Sequence, residues 1–97
     1  MATRIWKWPL QILNEQTLNL PIGALWLDVQ MQGGEPHIWC LCDANAPLEP
    51  RRLAIHGTGN PMPDDPGEYL ATFQTGAFVW HLFEVFDTPT IEQRNEA

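Results

Sequence analysis

No serine occurs in this 97-residue chain, and Lys7 is its only lysine. The first absence excludes a Ser–His–Asp hydrolase. The second excludes a P-loop, which needs its lysine inside a glycine loop, where Lys7 is not. Basic residues as a class are scarce: five Lys and Arg stand against 12 Asp and Glu, for a formal charge of -7. Nucleic-acid backbones are held by clustered Lys and Arg, so that class of partner is excluded. Long apolar runs are missing too. The longest, Leu18 to Leu27, is broken by Asn19, Pro21 and Gly23 and is far too short to span a bilayer. Arg4 and Lys7 lead into Trp8-Pro9-Leu10-Gln11 rather than into the apolar core of a secretory signal. Cysteine is limited to Cys40 and Cys42, whose spacing makes a strained disulfide at best, so free thiols in a reducing cytosol are expected.

What the chain does have is tryptophan, five of them at positions 6, 8, 26, 39 and 80, and apolar residues in period-two alternation. Helical periodicity is almost absent. Trp6, Trp8 and Leu10 alternate with Ile5, Lys7 and Pro9, giving a first strand that Pro9 ends or places at an edge. Asn14-Glu15-Gln16 reads as a turn, and Leu18 and Leu20 begin a strand that stops at Pro21. From Leu25 to Gln32, alternation puts Leu25, Leu27, Val29 and Met31 inward and Trp26, Asp28, Gln30 and Gln32 outward. Gly33-Gly34 is a strong hairpin signal. The returning strand, His37 to Asp43, is apolar on both sides and so central. Asp43 to Pro50 is loop by composition, and Arg51 to His56 is a further strand. Residues 57 to 67 hold three Pro and three Gly and form a fixed-shape loop. A last hairpin pairs Tyr69–Gln74 with Ala77–Phe86 around Thr75-Gly76. These patterns predict an all-β domain over residues 1–86, a small antiparallel sandwich or partly open barrel of about seven short strands. An acidic, flexible tail is expected over 87–97. Exposed sheet edges of this kind are commonly hidden by self-association, so a homo-oligomer is expected.

The most suggestive site is the turn Gly57-Thr58-Gly59-Asn60. Small residues let backbone N–H groups converge on an anion, and Arg51 and Arg52 just upstream offer fork-shaped donors to a phosphate. Met62 stands where a dinucleotide fingerprint needs a third glycine, and no helix follows. Trp26, on the face it shares with polar residues, is expected to be exposed, and it or Trp39 would stack on a base. His37, Cys40 and Cys42 are metal-ligand types, but His37 and the cysteines alternate to opposite faces, so no metal is assigned. His56 and His81 have no nucleophile or second base at a diagnostic spacing, and Asp64-Asp65 is most simply a turn. No catalytic residue and no cofactor are expected; the domain is read as a non-enzyme.

Several stretches together resemble a family of short, uncharacterised proteins of tailed bacteriophages and prophages, known as a domain of unknown function. They are Ile5-Trp6-Lys7, Glu15 to Ala24, Leu27-Asp28-Val29-Gln30, Asp43 to Pro47, Gly57 to Met62, Thr72-Phe73-Gln74 and Phe78 to Val85. Members of that family usually carry His where this chain has Asn60, so no role for an imidazole at position 60 carries over. The resemblance implies a small accessory protein in the cytoplasm of a host bacterium, and brings no catalytic residues. The expected function is therefore neutralisation of a host factor, chiefly one of anti-phage immunity, by sequestering a small nucleotide signal. Two alternatives stand beside it: an acidic protein that inhibits a host enzyme by direct contact, and a virion or assembly component.

Overall fold

A computed structural model of the chain describes residues 2–86. The acidic tail expected over 87–97 lies outside the described residues. Seven antiparallel strands form two sheets: β1 (Thr3–Pro9), β2 (Glu15–Pro21), β3 (Leu25–Gln32), β4 (Glu35–Asp43), β5 (Leu48–Gly57), β6 (Glu68–Thr75) and β7 (Phe78–Val85). One sheet has the order β1-β4-β3, the other β2-β5-β7-β6. No helix occurs among the described residues. The all-β, sandwich-like class that the alternation predicts is the class observed.

Leu10, Val29, Ile38, Leu53, Ile55, Phe73 and Leu82 make the main core between the sheets. A second cluster of Leu20, Ala24, Cys40 and Cys42 continues it. β4 is central as expected: Pro36, Ile38, Cys40 and Cys42 are buried, while His37, Trp39, Leu41 and Asp43 are half-buried on the outer side. The β3–β4 hairpin turns on Gly33 and Gly34, both at positive φ (61° and 83°), which a two-residue type I′ turn requires.

Three differences from expectation bear on the site. The turn after β1 is Gln11–Asn14 rather than Asn14–Gln16. The Gln16 amide clamps it, donating to the Gln11 carbonyl at 2.6 Å and accepting from the Gln11 N–H at 3.0 Å. β5 begins at Leu48, because Leu48, Glu49 and Pro50 pair with β2. The third difference is the largest. Leu25 and Leu27 point outward, and Val29 is the residue of this strand buried in the core. A β-bulge is the cause. Trp26 pairs with Cys40 and Asp28 with Trp39, leaving Leu27 as an extra residue that inverts the alternation. Trp26 therefore shares the inner face with Val29 and packs against both clusters, which corrects its expected exposure.

A second register shift falls between Tyr69 and Ala71, next to the start of β6. There Gly67 has φ +90°, and a Cβ on it would lie 2.0 Å from the Glu84 carbonyl oxygen. Gly59 also has φ +90° but faces open space. Alanine at Gly59 is expected to cost about 1–2 kcal/mol, the conformational term alone. Gly67→Ala adds a backbone collision and is expected to cost at least about twice that. Urea midpoints of the two variants check this; equal shifts would contradict it.

Candidate functional site

Parity along β5 sends Arg51, Leu53 and Ile55 to the inner face and Arg52 outward. Parity along β7 likewise sends Trp80, Leu82 and Glu84 inward. A guanidinium and a carboxylate thus meet between the sheets. Arg51 Nε and Nη2 donate to the two Glu84 oxygens at 2.5 and 2.8 Å, a bidentate pair, and Nη1 donates to the Ala24 carbonyl at 2.8 Å. The Trp26 indole N–H completes the carboxylate's shell at 2.9 Å, and the Arg51 guanidinium carbon lies 4.5 Å from the Trp26 ring centroid. Glu84 is only 4% exposed. Burial alone would raise its carboxyl, but hydrogen bonds from Arg51 and Trp26 and the Arg51 charge outweigh burial and hold it below the ordinary glutamate range. Arg51 is raised in turn, chiefly by its hydrogen bonds to Glu84.

This arrangement separates the residues expected to form one anion site. Arg51 is committed inside the sandwich, and Arg52, on the opposite face, bridges to Glu15 at 3.0 Å. The glycine turn lies six residues further along β5, about 20 Å away at strand rise. Trp39 lies on the outer face of the three-stranded sheet, beside His37 at 5.9 Å between ring centroids. Within the turn itself two N–H groups are already used: Thr58 donates to the Val79 carbonyl and Asn60 to the Gly57 carbonyl, each at 3.1 Å. A Cβ on Gly57 would meet the Trp80 ring at 3.2 Å and the Asn60 amide nitrogen at 3.0 Å. That glycine serves close packing against Trp80. Gly59 alone of the two supplies positive φ.

Beside the turn, the outer face of the four-stranded sheet carries a polar chain. The Tyr69 hydroxyl meets Thr72 Oγ1 at 2.7 Å, Thr72 meets His81 Nδ1 at 3.0 Å, and His81 Nε2 meets Thr58 Oγ1 at 2.7 Å. Both His81 nitrogens are therefore satisfied. His56, its cross-strand neighbour, is not: its Nε2 is buried and has no hydrogen-bond partner among the described residues. Its ring packs edge-on against Phe83 at 5.9 Å between centroids.

His56 lines two adjoining hollows. One, of about 460 Å³, runs between the Gln11–Asn14 turn and the glycine turn, with Ile12, Leu13, Asn60, Pro61 and Trp80 in its walls. The other, of about 400 Å³, lies under the proline loop and brings in Glu15, Pro63, Asp65 and Pro66. Asn14, His56 and Pro61 are common to both. Gly57 and Asn60 therefore belong to a concave site, but with His56 and Trp80 rather than with the arginines. The sequence carried a usable sign of the buried pair, an arginine in phase with Leu53 and Ile55. It carried none of the groove, which depends on two loops meeting.

Among the described residues no group of three His, Cys, Asp or Glu side chains is placed to hold a metal ion. Cys40 and Cys42 are buried free thiols on the inner face, and His37 is on the outer one. Burial pushes the Cys40 thiol up to about 12. No helix among the described residues is long and apolar enough to cross a membrane.

A family model described as a domain of unknown function, DUF7352, matches residues 1–92. The chain belongs to that family. No curated protein and no solved structure matches it. The DUF7352 description names no activity, so roles within this domain rest on its geometry.

Two outcomes follow for this DUF7352 domain. Because Glu84 is lowered in the fold, its contribution is complete above the unfolded value, near 4.3, and is lost as pH falls through the folded value. Urea stability should thus fall on acidification below about pH 5, and Glu84→Gln should flatten that limb while costing about 3 kcal/mol at pH 7. An unchanged limb would contradict it. The Cys40 thiol, raised and buried, should resist an aromatic disulfide reagent at pH 8 until the chain unfolds; labelling at the rate of a free thiol would contradict that.

Proposed function

We propose that this domain works by binding rather than by catalysis, and that it is a phage-type accessory protein which neutralises a host factor by holding a small ligand. The observation that carries the reading is the buried His56 Nε2, which has no hydrogen-bond partner among the described residues and belongs to a residue that lines both parts of the groove. A buried polar atom of this kind is ordinarily satisfied, and a ligand group is one way to satisfy it. Trp80, Pro61, Ile12 and Leu13 suit a flat ring, and the Asn14 and Asn60 amides suit its polar edge.

The chemistry of the walls narrows the class. Glu15 and Asp65 line the adjoining hollow, Arg52 is bridged to that Glu15, and Arg51 is engaged inside the sandwich. These surroundings disfavour phosphate and favour an uncharged, nucleobase-like heterocycle with a hydrogen-bonding edge. The nucleotide signal expected from the sequence is thereby reduced to its base or nucleoside portion. The host cytoplasm remains the proposed setting, consistent with two free cysteines. A second reading, contact inhibition of a host enzyme, is favoured by the charge of -7, which suits a basic groove.

Calorimetry with adenosine, guanosine and the corresponding cyclic dinucleotides tests the first reading. Heat is expected from at least one nucleoside, with His56→Phe weakening it at least about tenfold, the loss of one buried hydrogen bond. No heat from any of these compounds would overturn it.

A further inference from the structure

The outer face of the three-stranded sheet is built of cross-strand rows. Register places Ile5, Leu41 and Leu25 side by side across β1, β4 and β3. Ile5 and Leu25 are each 60% exposed, and the bulge residue Leu27, 49% exposed, follows Leu25 on the same edge strand. The next row along places Lys7, Trp39 and Asp28 side by side. Lys7 Nζ reaches across this face to Gln32 Oε1, and Asp28 Oδ2 accepts from the Gln30 amide at 2.8 Å. An aliphatic row thus borders a row with a lysine position at one end, an indole in the middle and an aspartate at the other, the lysine head bending over the face to Gln32.

That order of charges is self-complementary under one symmetry operation. We propose that this face binds a second copy of the chain, through a two-fold axis running along β4. Rotation about that axis lays each row on itself with its ends exchanged. Lys7, released from Gln32, then faces Asp28 of the partner subunit, twice per dimer, while Glu35 and Asp43 meet their own counterparts at the two ends of the axis. Trp39 faces its own counterpart, and the aliphatic row covers an aliphatic row. The perpendicular in-plane axis through the same row puts Lys7 on Lys7 and Asp28 on Asp28, and lays the aliphatics on the row of Pro9, His37 and Gln30. It pairs like charges at the centre of the face and lays aliphatic on polar rows, where the axis along β4 pairs opposite charges at the centre and aliphatic with aliphatic. Aligned sheet-on-sheet packing tolerates the small angle that strand twist introduces.

Size sets the strength. Three strands about 4.8 Å apart, along nine residues of β4 at about 3.3 Å each, give a flat footprint of a few hundred Å². A standard interface covers about 800 Å² per partner, so this one falls in the weak, reversible class. This inference is independent of the groove around His56, which lies on the other sheet and stays open in the dimer.

Sedimentation equilibrium with two single variants, Lys7→Glu and Asp28→Lys, tests it. The unaltered chain is expected to reach twice its 11.1 kDa mass at about 100 µM. Each variant alone places like charges opposite one another and is expected to dimerise at least about tenfold more weakly. An equimolar mixture is expected to regain the dimer. In the mixed pair the carboxylate introduced at position 7 of one subunit meets the ammonium introduced at position 28 of the other, and the native Asp28 and Lys7 meet at the second contact. Restoration also shows that both variants are folded. A monomeric unaltered chain, a dimer indifferent to either substitution, or a mixture no stronger than its components overturns the proposal.

Discussion

A buried guanidinium–carboxylate pair is tolerated only when both charges are fully partnered, and that requirement organises this domain. Arg51 comes from β5, Glu84 from β7, and the third partner, Trp26, from the opposite sheet. Arg51 also reaches the Ala24 carbonyl just before β3. Hydrophobic contact between two sheets is non-directional, whereas four directed hydrogen bonds fix their partners atom by atom. Burying such a pair yields little net stability compared with an apolar substitute. Its consequence is positional: it ties β3 to β5 and β7 in one register. The bulge at Leu27 and the tight approach of Gly67 to the Glu84 backbone are conditions for that register, since one turns Trp26 inward and the other brings the chain against β7.

The pair also bears on how so small a domain accommodates its tryptophans. Trp26 is consumed as a hydrogen-bond donor and a platform for Arg51. Trp8 packs on the core, edge-on to Trp6 at 6.1 Å between centroids. Trp80 donates to Thr75 at 2.8 Å and presents its ring to the groove beneath the glycine turn. Only Trp39 stands at the centre of an outer sheet face. With Arg51 internal, the local positive contrast that β5 carries in sequence does not extend to the surface near the glycine turn. A phosphate beside the glycine turn would therefore lack the Arg51 cation, which is turned to Glu84.

Most of the fold was legible because its local signals agree. Gly33-Gly34 between two alternating runs specifies a hairpin, and a strand apolar on both faces has to be central. The failures have a common physical origin. Leu27 carries no mark of a bulge, yet one extra residue reverses which face every preceding side chain of β3 occupies, and so misplaced Trp26. Glu49 and Pro50 look like loop, and become strand only because β2 is there to pair with them. Gly57 and Asn60 of the glycine turn line a concave surface, but Arg51 and Arg52 alternate across the sheet and lie six and five residues before Gly57. Glu84 sits 33 residues from Arg51; nothing short of matching strand parities brings them together.

The central claim is that Arg51 and Glu84 act as one unit spanning the sandwich. A double-mutant cycle with Arg51→Met, Glu84→Leu and the combined variant measures this most directly, using urea stability at pH 7. Each single change strands a buried charge, whereas the double change removes both. The account predicts a combined cost well below the sum of the single costs, with a coupling of about 2–3 kcal/mol. Additive single costs would contradict it.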